Sequence, residues 1–462
     1  MKLYPPVKSL EERSKEGFGK NDILKRNNTG SALSELLNSI DEPLVVALDG
    51  KWGTGKTWFL QGWVGEHSKI PKNNSTVVYF DAFAHDYLSD PLPSLVSALA
   101  DSTESRNRNI QRIKKMAFKL AKTVVRTSLR AGLAASTVGT SEIINTSIKA
   151  IGSELEKNID KYWKAEEGKT VAMQGFRKAL KSLATEKKVI FVIDELDRCR
   201  PDYALELLEV IKHFFSVSNV QFVLGVNLEA LEDMVSVRYG KGNKDNEIKT
   251  YLQKFIQVTL NLPHEIEGEE RYVNQYLNWL CEEMKVLFEV SDRLKWQVKN
   301  IAQANPNSIS LRHVEHIVSS INLASGKILD KKNIPRGMYW VMNDLIISRI
   351  VRPDLYPKFL DATISDAELR EYFGVKEKIL KGENSNEIDL NQKPYSIYHY
   401  ELWYYISYNK FPEGIKFSMS DTITQELFDV RYGFPESHVG HMPKNIQRDW
   451  LDIFQFYRPP LK

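Results

Sequence analysis

The sequence predicts an α/β fold in which helices surround a doubly wound parallel sheet. Three apolar runs carry this prediction, at residues 44–48, 189–193 and 220–226, and each precedes a segment that suits a helix. The runs are rich in β-branched residues and do not alternate with polar ones, as is typical of strands buried on both faces. Strands that alternate with helices along a chain favour a parallel sheet.

A glycine-rich loop directly follows the first run. Residues 50–57 read G-K-W-G-T-G-K-T and match the phosphate-binding pattern G-x-x-x-x-G-K-[ST], with a helix-compatible stretch at 58–64. In this context the loop N–H groups and the helix N-terminus face the phosphate. We expect Lys56 to bind the β- and γ-phosphates and Thr57 to bind Mg²⁺. The alternative is a glycine-rich turn with a surface lysine. The residues expected to contact the nucleotide are Gly50, Trp52, Gly53, Thr54, Gly55, Lys56, Thr57 and Trp58.

Two carboxylates follow the second apolar run. Asp194 stands where parallel sheets place ligands, and we expect it to hold Mg²⁺ through water. Glu195 then fits either the base for the attacking water or the residue that positions it. The alternative for an acidic pair after a strand is a helix N-cap, and Asp197 is a candidate for that cap because Pro201 and an apolar-periodic helix follow it.

Asn227 ends the third run and has two equally good interpretations. Its side chain is suited to sensing the γ-phosphate or orienting water, or else it caps the helix predicted from residue 228 onwards. A further strand is predicted at 77–80, ending at Asp81.

Chain length and composition limit the possible domain organisation and location of the protein. A chain of 462 residues is expected to form two or three domains, and its net charge of +3 says little about partners. Two cysteines, Cys199 and Cys281, exclude a disulfide framework and lack metal-ligand spacing. The first residues lack the apolar stretch of a secretory signal, and no segment is long and apolar enough to span a bilayer. A cytoplasmic location is therefore expected.

Four regions are predicted along the chain. An N-terminal arm and lead-in helix occupy 1–40, and the nucleotide-binding core occupies 41–265 with a helical hairpin inserted at 104–165. A helical lid at 266–330 and a mainly helical, aromatic-rich region at 331–462 follow. The aromatic cluster within 395–408 favours core and interface packing over a base- or peptide-stacking surface.

The first half of the insertion is strongly basic. Residues 106–130 contain many Lys and Arg, no acid, and apolar residues at helical spacing. Such a helix binds a membrane surface, nucleic acid or a partner helix. The favoured alternative is a hairpin that packs on its own body or on a neighbouring subunit, with a solvated basic face.

Four stretches together resemble the KAP family of P-loop NTPases. They are W-G-T-G-K-T at 52–57, F-D-A-F at 80–83, D-E-L-D-R-C-R-P at 194–201, and Y-L-Q-K-F-I-Q-V at 251–258 with L-P at 262–263. The resemblance extends over roughly residues 15 to 355, in a branch of ATPases that carry an extra strand and a catalytic glutamate. Asp81 and Asn227 stand where family members vary between Asn and Asp.

This resemblance implies binding of ATP, dependence on Mg²⁺ and assembly into a homo-oligomer. Many family members carry transmembrane helices between the two nucleotide-binding motifs, whereas the insertion here is polar, so the chain resembles the soluble bacterial branch. Bacterial members often act in anti-phage defence or plasmid-borne exclusion, and such a role, with a partner or effector protein, is implied by kinship alone.

The sequence thus favours a Mg²⁺-dependent ATP hydrolase that drives assembly or regulates an effector. One alternative is a nucleotide-gated scaffold with negligible turnover, and another is a membrane-surface or nucleic-acid-binding protein that acts through the basic helix at 106–130. ATPases of this type often complete their site with an arginine from a second subunit. Arg238 lies near the end of the helix after the third strand, where related oligomeric ATPases carry that residue, and Arg198 and Arg200 are its rivals. Each of the three is otherwise a surface or capping arginine.

Overall fold

A computed structural model describes most of the chain. The described residues are 9–19, 22–71, 74–88, 90–102, 166–239, 245–262, 272–304, 309–328, 336–375, 395–410 and 440–448. The predicted hairpin at 104–165, with its basic segment 106–130, lies outside them. The chain divides into two compact units, residues 8–263 and residues 264–462 together with 1–7.

The first unit contains a five-stranded parallel sheet. Its strands are β1 (Leu44–Asp49), β2 (Ser75–Asp81), β3 (Lys188–Asp194), β4 (Val220–Val226) and β5 (Val258–Asn261). Their spatial order is β2-β3-β4-β1-β5, and every neighbouring pair is parallel. The predicted α/β fold with a doubly wound parallel sheet is therefore confirmed. Strand β4 lies between β1 and β3 and is the extra strand that the family resemblance implies.

Helices cover both faces of this sheet. They are α1 (Leu10–Glu16), α2 (Asn27–Ser39), α3 (Lys56–Lys69), α4 (Leu92–Asp101), α5 (Glu166–Glu186), α6 (Pro201–Lys212), α7 (Leu228–Tyr239) and α8 (Asp245–Leu252). Helices α2 and α3 pack on one face, and α4 to α7 pack on the other. Successive strand residues point to opposite faces, so Val46 joins the first core and Val45 the second. Because both faces of the central strands are buried, β1 and β3 read as almost unbroken apolar runs, whereas the edge strands β2 and β5 are partly exposed.

The parallel register brings the functional segments to one edge. Asp49 of β1 is aligned with Val226 of β4, and Asp194 of β3 is aligned with Gly225 of the same strand. The loops that follow β1, β3 and β4 therefore leave the sheet side by side. This carboxyl edge is where open parallel sheets bind ligands.

The described part of the second unit is helical. Its helices are α9 (Tyr272–Glu283), α10 (Phe288–Ala304), α11 (Leu311–Ile328), α12 (Arg336–Val351), α13 (Tyr356–Leu360), α14 (Asp366–Phe373), α15 (Tyr395–Tyr408) and α16 (Met442–Ile446). They share one apolar core. Within it the buried carboxylate of Asp344 accepts hydrogen bonds from Gln297 (2.7 Å) and Trp403 (2.8 Å) and lies 2.8 Å from His399 Nδ1. Trp403 belongs to the aromatic cluster and is fully buried, as core packing requires.

A buried histidine links α2, α3 and β2. The ring of His67 is excluded from water, with Nδ1 2.8 Å from Ser34 Oγ and Nε2 3.0 Å from Ser75 Oγ. The indole of Trp63 donates to the same Ser34 hydroxyl at 3.0 Å. Burial, together with the charge of Lys188, lowers the pKa of His67 to about 4. The folded unit therefore holds this ring in its neutral form.

We predict that His67 makes the first unit sensitive to acid. Because the folded pKa of about 4 lies below the value of 6.5 for an unperturbed histidine, the unfolded chain binds more protons between these pH values. Stability is then lost as the pH falls through that window, by about 2–3 kcal/mol. The measurement is the free energy of unfolding against pH for the parent, for His67→Gln, and for a control at the exposed His213. The His67→Gln profile should be flatter than the other two between pH 6.5 and 4, and three parallel profiles would contradict this assignment.

Candidate functional site

The loop between β1 and α3 has the conformation of a phosphate-binding nest. Gly53 and Gly55 adopt left-handed backbone angles, with φ of 82° and 86°, which glycine reaches without steric cost. Helix α3 begins at Lys56 immediately after the loop. The unpaired N–H groups and positive end of a helix at this position attract an anion.

Lys56 is folded into this loop. Its side chain is buried, and its ammonium donates to the carbonyl of Gly50 and, at 3.3 Å, to that of Lys51. Burial lowers the pKa of Lys56, and the carboxylates of Asp197, Asp194 and Asp49 oppose that shift. The ammonium is therefore hydrogen-bonded to carbonyl groups of the loop. A phosphate bound at the same place would offer stronger, charge-assisted hydrogen bonds.

Asp194 lies at the end of β3 and is almost completely buried, with 1% of its surface exposed. Its Oδ1 accepts the backbone N–H of Glu195 at 2.9 Å, and its Oδ2 accepts the hydroxyl of Tyr79 at 2.8 Å. Burial raises the pKa of Asp194 to about 6, while the Tyr79 and Thr57 hydroxyls counteract that rise. A carboxylate so poorly solvated gains strongly from a nearby cation.

Glu195 follows in an unusual backbone conformation. Its φ of 58° is a left-handed value that a residue with a side chain rarely adopts, and such values cluster at functional sites. Its Oε1 accepts the Thr57 hydroxyl at 3.5 Å and lies 3.1 Å from the Arg198 guanidinium. The start of α3 and the Glu195 carboxylate after β3 are thereby in direct contact.

Asp197 is not the helix cap that the sequence suggested. Asp197 lies within a short 3₁₀ turn, Leu196–Arg198, that precedes α6, and the N-cap of α6 is Arg200. The buried Asp197 carboxylate instead accepts the indole N–H of Trp52 at 2.7 Å. The glycine loop and the segment after β3 are therefore tied together by this pair.

Asn227 lies directly between β4 and α7. The backbone carbonyl of Asn227 accepts the Leu231 N–H at 3.0 Å, while the carboxylate of Asp49 accepts the N–H of Leu228 at 2.9 Å. Asp49 thus accepts the N–H of the first residue of α7, whereas a capping Asn227 side chain would accept that of the second or third, so the capping alternative stays a prediction. The phosphate-sensing role of Asn227 stays a prediction as well.

The three candidate arginines have different partners. Arg198 pairs with Glu195 in the same subunit. The guanidinium of Arg200 donates to the carbonyls of Asp86 and Leu88, at 2.9 Å in each case. Arg238, at the end of α7, pairs with Asp202 at the start of α6, and both of these side chains are exposed.

The remaining predicted contact residues also lie in or beside the loop. The N–H of Gly50 donates to the carbonyl of Val226, and the Thr54 hydroxyl donates to the carbonyl of Lys51. The Trp58 ring lies 5.8 Å from that of Phe18, so it packs toward the N-terminal segment.

Sequence reasoning missed several residues that support the site. Tyr79 donates to Asp194, and Gln61 of α3 donates to the Tyr79 hydroxyl at 3.4 Å. The buried Arg26 donates to the carbonyl of Thr54 in the loop at 3.4 Å. Gly225 leaves room for Asp194, since a Cβ there would lie 2.7 Å from Asp194 Oδ1. None of these belongs to a local motif, so a single sequence offers little signal for them.

The donor set fits a magnesium ion bound together with a nucleotide. Within the described ranges there is no cluster of three or more His, Cys, Asp or Glu that would hold a metal by itself. Magnesium at a P-loop needs only one or two protein oxygens, because phosphate and water supply the other ligands. The Thr57 hydroxyl and the Asp194 carboxylate are oxygen donors of this kind.

Among the described helices there is none whose length and apolar character suit a membrane span.

Comparisons with known proteins agree with the geometry of the loop. The model of the KAP family P-loop domain matches residues 26–326, about two thirds of the chain. A comparison with curated proteins gave no match.

Solved structures give only distant similarities. The Aeropyrum pernix ORC2 protein in its ADPNP–ADP complexes is 12% identical, with a TM-score of 0.33 over 93% of this chain and 95% of that one. The ADP form of the same protein is 12% identical, with a TM-score of 0.32 over 91% and 93%. A DNA replication initiation factor is also 12% identical, with a TM-score of 0.31 over 91% and 93%. Scores this low carry no argument about fold or function.

We predict that Lys56→Ala weakens nucleotide binding about 10- to 100-fold, because a buried charge-assisted contact is lost. Calorimetric titration with ATP measures the affinity. The matched control is Lys51→Ala, which removes an exposed lysine of the same loop and should change the affinity much less. Equal affinities for the parent and Lys56→Ala would contradict the assignment of this loop as the phosphate site.

Proposed function

The chain belongs to the KAP family of P-loop NTPases, and we propose that it is a Mg²⁺-dependent ATP hydrolase. The observation that carries this proposal is the position of the Glu195 carboxylate. It lies beside the buried Asp194 and within hydrogen-bond distance of Thr57, the second residue of α3. A base next to a metal-binding carboxylate and a phosphate loop is the arrangement that nucleotide hydrolysis requires.

Each residue of the site has a separate task in this proposal. The loop N–H groups and Lys56 bind and orient the phosphates. Thr57 and Asp194 hold Mg²⁺, which, when bound, offsets the negative charge of the phosphates. Trp52 keeps the loop against the segment after β3 through its bond to Asp197. Asn227, at the end of the neighbouring β4, orients the attacking water or senses the γ-phosphate.

Glu195 accepts a proton from that water. Its Oε1 is fixed by Thr57 and Arg198, while its Oε2 has no hydrogen-bond partner among the described residues. The free oxygen is the one available to a water molecule.

We further propose that the protein works as a homo-oligomer whose ATP cycle drives assembly or regulates an effector protein. A role in bacterial anti-phage defence is part of this proposal and rests on kinship alone. Arg238 is our choice for the arginine that acts on a neighbouring subunit. Its partner Asp202 is exposed, so the pair contributes at most about 1 kcal/mol and is easily exchanged for a phosphate contact.

One observation favours the alternative of a nucleotide-gated scaffold. The candidate trans arginine, Arg238, is paired with Asp202 of its own chain, and a site that receives no arginine from a neighbouring subunit turns over slowly. In that case the protein binds ATP and changes its assembly with negligible hydrolysis. Steady-state phosphate release separates the two functions.

We predict that Glu195→Gln binds ATP normally and hydrolyses it about 10²- to 10⁴-fold more slowly, because the amide has the shape of the carboxylate and cannot accept the proton. Asp194→Asn should instead raise the Mg²⁺ concentration needed for half-maximal turnover. The control is Glu35→Gln, an exposed position on α2. Parental turnover by Glu195→Gln would exclude Glu195 as the base.

The role of Arg238 is tested by mixing two inactive variants. Arg238→Ala should lose about 10³-fold in turnover, and Lys56→Ala should not bind nucleotide productively. If the arginine acts across an interface, a mixed oligomer combines an intact loop with an intact arginine, and part of the phosphate release returns. The control mixes Lys56→Ala with Glu195→Gln, since those two residues belong to one subunit's site. Absence of recovery, in oligomers shown to exchange subunits, excludes Arg238 and directs attention to Arg198 and Arg200.

A further inference from the structure

Tyr79 contacts the proposed metal-binding carboxylate from a neighbouring strand. The sheet register aligns Tyr79 with Val192 and Asp81 with Asp194, so Tyr79 lies diagonally opposite Asp194. Residues two positions apart on a strand share one face, and Tyr79 and Asp194 both lie on the face covered by α3. The length of a tyrosine side chain spans this diagonal, and its hydroxyl reaches Asp194 Oδ2 at 2.8 Å.

The direction of the hydrogen bond is fixed by a second contact. Gln61 Nε2, on the second turn of α3, donates to the Tyr79 oxygen at 3.4 Å. A tyrosine hydroxyl has one hydrogen, and an amide nitrogen only donates. The hydroxyl therefore accepts from Gln61 and gives its own hydrogen to Asp194.

The other sides of the carboxylate are also occupied. The backbone N–H of Glu195 bonds Oδ1, and Gly225 of β4 lies so close that any side chain there would collide with the same oxygen. A further neighbour of the carboxylate is the Thr57 hydroxyl, the other proposed Mg²⁺ donor. Tyr79 is thus the side chain that fixes the rotation of the carboxylate about its last bond.

We propose that Tyr79 is a positioning residue that orients Asp194 for Mg²⁺. The inference rests on the proposed function and adds a residue to its site. Groups that hydrogen-bond to a metal-ligating side chain fix its orientation, and their loss typically weakens metal affinity 10- to 100-fold. The chain from Gln61 through Tyr79 to Asp194 also joins α3, which starts at the phosphate loop, to the end of β3. The helix that begins at the phosphate loop and the strand that ends at the metal-binding carboxylate are then held in a fixed relative position.

The test is the Tyr79→Phe variant of the full chain, which removes one oxygen and keeps the ring. Mn²⁺ serves as the probe for Mg²⁺, and electron paramagnetic resonance measures free Mn²⁺ in the presence of a non-hydrolysable ATP analogue. We expect Mn²⁺ to bind about tenfold more weakly than to the parent. The affinity for the analogue without metal should stay within about twofold, because Tyr79 does not touch the phosphate loop. Gln61→Leu should show a smaller loss of Mn²⁺ affinity, since it removes only the support of the hydroxyl.

The control is Tyr87→Phe, at an exposed tyrosine of the segment after β2, and it should bind Mn²⁺ like the parent. Equal Mn²⁺ affinity in Tyr79→Phe and the parent overturns the inference. An equal fall in the affinities with and without metal also overturns it, because Tyr79 then supports the unit as a whole. If the parent itself binds neither the analogue nor Mn²⁺, the proposed function fails, and this result is distinct from the other two.

Discussion

The burial of the Asp194 carboxylate is the constraint on which the site depends. The side chain ends a strand that is covered on both faces, and 1% of its surface reaches water. A desolvated carboxylate is costly unless donors or a cation surround it. The Tyr79 hydroxyl and the Glu195 N–H meet part of that requirement. The pKa of about 6 shows that they do not meet all of it.

The ammonium of Lys56 is a positive charge that is also poorly solvated. It is buried in the loop and donates to backbone carbonyls, and its pKa is lowered by burial. The unit thus keeps a positive and a negative group in adjacent, poorly solvated positions. In the proposed function a phosphate would offset the first charge and a divalent cation the second, so that binding of a metal–nucleotide pair would relieve both costs at once. The fold supplies this preorganisation because β1 and β3 end at the same edge of one parallel sheet.

Much of this arrangement follows from the sequence because its signals are local. A strand buried on both faces is mostly apolar, and the predicted runs correspond to β1, β3 and β4 within two residues. The phosphate loop is contiguous in the chain, so its glycines and lysine are visible as a pattern. In contrast, the contact between Tyr79 and Asp194 depends on the register of β2 against β3, which no local pattern encodes. The hydrogen bond from Trp52 to Asp197 is likewise not encoded in any local pattern. The prediction that Asp197 caps a helix was wrong because Asp197 lies in a 3₁₀ turn that precedes α6.

The most direct test of the account is steady-state phosphate release by the purified parent protein with ATP, in the presence and absence of Mg²⁺. If the loop, Asp194 and Glu195 form one hydrolytic site, turnover appears with Mg²⁺ and is abolished by a chelator. Phosphate release that stays at the background level with Mg²⁺, from protein shown to bind ATP, would contradict the proposed hydrolysis and leave the scaffold function as the better explanation.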